Sequence, residues 1–106
     1  MDIKVGQIWQ VVTHDFYSSD KTGKIAIREF NRNALINLNK DEYLEIRYPF
    51  EWHFRTVDNL YLHAYPTEIL KHCRFVGQID EKIWFGNQHN LNQILEEKLY
   101  KPIREE

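Results

Sequence analysis

The chain has 106 residues, enough for one domain with a modest core and too few for two. Its 14 basic and 16 acidic residues give a formal net charge of -2, which argues against a strongly basic nucleic-acid binder and leaves room only for a local patch. Cys73 is the only cysteine, which excludes an internal disulfide; the opening MDIKVGQIW has no apolar signal core and charges interrupt every stretch of membrane-spanning length, so a soluble, cytoplasmic protein without membrane attachment is expected.

In chain order, Lys4 to Thr13 reads as a first strand with apolar side chains on both faces, and Gly6 permits a bend at its start. His14 to Lys24, HDFYSSDKTGK, has the Ser, Asp and Gly content of an exposed loop, and long loops often carry function. Its Gly-Lys ending lacks the upstream Gly and the following Ser or Thr of a phosphate-binding loop. Ile25 to Phe30 is a short strand, Asn31 to Asn33 a turn, and Ala34 to Leu38 a further apolar run.

The stretch from Tyr43 to Ala64 has the period-two alternation of half-buried strands, broken twice by turn residues. With Pro49–Glu51 and Val57–Asn59 as loops, Ile46 faces Phe54, Leu44 faces Thr56, Phe54 faces Leu62 and Thr56 faces Leu60. Asn59 is suited to the left-handed residue that a three-residue hairpin loop needs. Both registers give one apolar layer and one outer layer, in which Arg47, His53 and His63 form one cross-strand row and Glu45, Arg55 and Tyr61 the next.

Tyr65 to Leu70 then forms a turn of helix with Pro66 at its first position and Glu68 in its first turn. Arg74 to Ile79 is a closing strand, and Lys82 to Phe85 a possible further one. Asn90 to Tyr100 is a helix capped by Asn90 and Gln93, with Leu91, Ile94, Leu95 and Leu99 as its apolar stripe, and Pro102 stops it. Trp84 and Phe85 are placed to bridge this helix to the strands.

An early strand, a long loop, a three-stranded meander and one helical turn before a closing strand resemble the Src-homology-3-like small barrels. The resemblance covers residues 4 to 79 and implies a mainly β fold, a small antiparallel barrel, with residues 82–103 as a C-terminal strand and helix extension packed on one barrel opening. Residues 1–106 then form a single domain. Gly6-Gln7-Ile8-Trp9 and the polar loop also resemble the opening of MazF-type endoribonuclease toxins. Their Gly-x-Arg-Pro segment is replaced here by Gly23-Lys24-Ile25, so no catalytic residue carries over.

Two histidines with Cβ atoms about 4.5–5.5 Å apart would fall short of a metal site without third and fourth ligands, and Arg47 beside them disfavours a cation. No metal or other cofactor is expected, and Cys73 is read as a buried, inert thiol. Lys21, Lys24, Arg28 and Arg32 are read as a solvated face. The candidate binding residues are Tyr43, Arg47, His53, Arg55, Tyr61 and His63, on the outer face of the 43–64 meander beside the 14–24 loop. The leading expectation is a non-catalytic binding module for a protein partner. A small RNA-binding or MazF-like endoribonuclease domain and a phage or mobile-element type inhibitor are the alternatives.

Overall fold

A computed structural model describes residues 2–14, 16–19, 35–47, 53–80, 83 and 89–102. Its strands are β1 (Gln7–Val11), β2 (Phe16–Ser19), β3 (Leu35–Leu38), β4 (Tyr43–Ile46), β5 (His53–Thr56), β6 (Tyr61–His63), β7 (Cys73–Ile79) and β8 (Tyr100–Pro102). Two short helices, α1 (Pro66–His72) and α2 (Leu91–Glu96), complete the fold. The protein is mainly β, and the strands form one antiparallel sheet in the order β3-β2-β6-β5-β4-β1-β7-β8.

The meander registers are as expected. Leu44 pairs with Thr56, Glu45 with Arg55 and Ile46 with Phe54, while His53, Phe54 and Arg55 pair with His63, Leu62 and Tyr61. Asn59 has φ 61°, its amide donates to the Thr56 carbonyl at 3.0 Å, and the Thr56 amide donates to the Leu60 carbonyl at 3.0 Å. The loop at Pro49–Glu51, the 25–30 strand, the 31–33 turn and Trp84-Phe85 lie outside the described residues.

β1 pairs with β4 and β7 within the sheet, and an apolar cluster on each face of the sheet explains apolar residues on both of its sides. Trp9 and Val11 point into one apolar cluster and Ile8 into a second. Gly6 adopts φ 89°, donates to the Ile46 carbonyl at 2.8 Å and accepts from the Ile79 amide at 2.7 Å. Its positive φ lets the chain enter between two strands, where a Cβ would be strained. A register shift opposite Ile8 and Trp9 adds Val76 to β7 as an extra residue and turns it into the second cluster.

The sheet must curl. Four strand spacings, about 19 Å if flat, separate β1 from β2 in the strand order. Five residue steps from Val11 to Phe16 span at most about 18 Å. Curling brings Phe16 and Leu38 onto the first cluster with Trp9, Leu44, Ile46, Phe54, Leu62 and Ile69 of α1. The barrel closure is not seen: β3 and β8 end the order, so among the described residues no ladder joins the two edges.

Two further expectations change. The His14–Lys24 segment is not loop throughout, because Phe16–Ser19 pairs with β3 and Phe16 is fully buried; residues 20–24 lie outside the described set. The C-terminal helix is shorter than the span Asn90 to Tyr100. It starts as expected, with the Asn90 carboxamide oxygen accepting from the Gln93 amide at 2.8 Å. It then ends in a Schellman motif: the Leu99 amide donates to Ile94 at 3.0 Å, the Lys98 amide to Leu95 at 3.4 Å, and Lys98 takes φ 54°. That turn reverses the chain so that Tyr100–Pro102 pairs with β7 instead of continuing the helix.

Candidate binding face

The outer face of the sheet is built from residues that alternate with the first cluster, and the register carries one row across it: Gly77, Ile8, Glu45, Arg55 and Tyr61. Part of this row is dry. Glu45 and Arg55 are only 4% and 5% exposed, which corrects the placing of Arg55 among residues open to a partner. The cause is the C-terminal segment. Leu91 and Ile94 of α2 are buried with Ile8, Val76 and Ile79, and Tyr43, Val57, Ile83, Leu95, Leu99 and Tyr100 pack around them. The helix therefore covers the outer sheet face and not a barrel opening, although it docks through the stripe its spacing predicts.

Burial forces the polar groups beneath this cover to pair. Arg55 Nε donates to Glu45 Oε1 at 2.7 Å, and Arg47 Nη1 donates to Glu45 Oε2 at 3.2 Å. Arg55 Nη2 donates to the His89 carbonyl at 2.8 Å, so the arginine ties the meander to the chain entering α2. Desolvation raises the Glu45 carboxyl above its ordinary value, partly offset by the Arg55 and then the Arg47 guanidinium.

The six candidate residues thus separate. Tyr43 is half-buried against the second cluster, and Arg55 is buried. Arg47 and His53 are half-buried, and Tyr61 is 40% exposed beside exposed Leu60. The Arg47 amide donates to the His53 carbonyl at 3.0 Å and His53 pairs with His63, so the expected row exists along the backbone. The His63 side chain lies outside the description. Burial lowers the His53 pKa from its ordinary value. β2 reaches the same edge, where Ser19 pairs with His63.

One cluster escaped the sequence reading. His72, 8% exposed, stacks on Phe16 with centroids 5.3 Å apart and planes at 9°. Its Nδ1 lies 2.7 Å from Thr13 Oγ1 and its Nε2 3.2 Å from Glu68 Oε2. The helical spacing of Glu68 and His72 was the available signal. The stacked, doubly held ring joins the chain just after β1 to β2 and α1. Cys73 beside it is buried, with burial pushing the thiol up to about 12, so it is a poor nucleophile.

Among the described residues, no group of three or more His, Cys, Asp or Glu converges as metal ligands, and no helix is long and apolar enough to cross a membrane. No family model, curated protein or solved structure matches the chain.

Proposed function

We propose that the chain is a non-catalytic binding module that engages a protein partner through the uncovered end of the outer meander face. The observation that carries this reading is the division of that face. The C-terminal segment seals Glu45 and Arg55, while Tyr61, at the β6 end of that row, stays exposed, and Arg47 and His53 of the neighbouring row are half-buried. An exposed aromatic on a face that also carries a half-buried arginine has the composition of interface centres. β2 reaches the same edge, where Ser19 pairs with His63. The order β6-β5-β4-β1-β7, with α1 before β7, supports the Src-homology-3-like reading of residues 4–79.

The test is affinity capture from the native host with wild type and Tyr61→Ala, each with and without nuclease. A protein retained by wild type, lost from the variant and insensitive to nuclease is the expected result. Loss on nuclease treatment, with affinity falling steeply as salt rises, replaces the protein partner with RNA. Equal retention by both chains removes Tyr61 and this face from the interaction.

A further inference from the structure

A cavity of about 740 Å³ opens where the N-terminal segment, the end of β7 and the chain leaving α2 meet. Its size falls within the roughly 300–1,000 Å³ of small-molecule sites. Val5, Ile79, Ile83, Leu99 and Tyr100 provide apolar walls. Gly77 holds one wall in place, because a Cβ there would collide with the Tyr100 ring and the Lys101 carbonyl. Lys4, Lys98 and Lys101 also line the opening, against the single carboxylate of Asp80 among the described residues.

Lys98 is a second pointer. It occupies the left-handed position of the Schellman motif at φ 54°, where Gly or Asn is the ordinary residue. Non-glycine residues held in that conformation collect at functional sites, and here the strain places a cation on the cavity rim.

We infer that this cavity binds a small amphipathic anion, its apolar body against Val5, Ile79, Leu99 and Tyr100 and its carboxylate or phosphate head among Lys4, Lys98 and Lys101. The lysines act as flexible point charges, so they select charge sign without demanding one head-group geometry. The apolar walls supply the larger share of affinity, and the rim supplies discrimination. This site shares no residue with the proposed partner face.

Octanoate, phenyl phosphate, octan-1-ol and octylammonium, titrated into the full chain and followed by amide NMR, test this. Octanoate and phenyl phosphate should saturate, with shifts centred on Ile79 and residues 99–101. Octan-1-ol should bind more weakly and octylammonium weakest. Lys101→Gln should lower octanoate affinity roughly two- to fivefold, the size of a rim ion pair, and leave octan-1-ol unchanged. Lys98→Asn should lower octanoate affinity similarly while raising the melting temperature, an opposition that a purely structural lysine would not give. Octan-1-ol binding as tightly as octanoate, shifts centred on Tyr61, or failure of both anions to saturate would each overturn the inference.

Discussion

The two faces of the sheet are stabilised by differently organised parts of the chain. On the inner face, Phe54 meets Ile46 and Leu62 across neighbouring strands of one meander. On the outer face, Ile8 and the Glu45–Arg55 pair are covered by α2 and the chain around it, distant in sequence. A face closed by local hairpins follows from alternation and turn chemistry. A face closed by a remote segment depends on how that segment docks, and only the docked cover makes burying two charges tolerable.

The largest effects should come from matched cavities on the two sides. Phe54 and Leu91 are both fully buried. Phe54→Ala should cost about 3–5 kcal/mol and Leu91→Ala about 2–5 kcal/mol in urea unfolding. A Leu91→Ala cost within about 0.5 kcal/mol, the surface range, would show that the outer cover is not part of the cooperative unit.

Next comes the buried pair. Glu45→Ala should destabilise by about 3–5 kcal/mol, because Arg55 loses its carboxylate inside the covered face. The double variant Glu45→Leu with Arg55→Met should recover most of this, since a packed apolar pair removes both desolvation costs. A double-mutant cycle measures the difference. A single-variant loss of only about 0.2–1 kcal/mol would place the pair in water.

The same contrast sets how much of the molecule was legible beforehand. The meander registers, Asn59, the α1 start at Pro66 and the Asn90 cap were readable because each depends on neighbours in sequence. Arg55 looked wet because alternation assigns a face but not what lies on it; the His89 carbonyl that accepts from it is 34 residues away. Phe16 looked like loop because polar residues surround it, yet curling of the sheet buries it against Phe54 and His72. The helix end at Lys98 carried no glycine signal, so the return of β8 to β7 was hidden as well. Of the candidate site, the backbone row was legible and its division into covered and open halves was not.

A smaller effect tests that helix end. Lys98→Gly should stabilise by about 1 kcal/mol, because relief of left-handed strain exceeds the entropy that glycine adds to the unfolded chain. Thermal unfolding checks it. Destabilisation would mean that the lysine side chain contributes more to folding than its backbone strain removes.

The smallest effect separates the faces by pH. His53, on the open half, has its folded pKa lowered by burial from an ordinary value near 6.5. The unfolded chain therefore takes the proton first. Stability present above pH about 6.5 is lost as pH falls through the lowered folded value. Glu45, under the cover, is raised, so its sign is opposite: the folded chain takes the proton first, and stability present at low pH is lost as pH rises through the raised value. His53→Gln should remove only the first limb, flattening the fall in melting temperature on acidification from neutral pH and leaving the Glu45 limb intact. NMR titration of His53 reports the same group directly. A midpoint at or above the ordinary value would contradict its burial. A partner carboxylate docking beside Arg47 and His53 should move that midpoint upward, because it favours the imidazolium, so binding on this face should take up protons and tighten as pH falls.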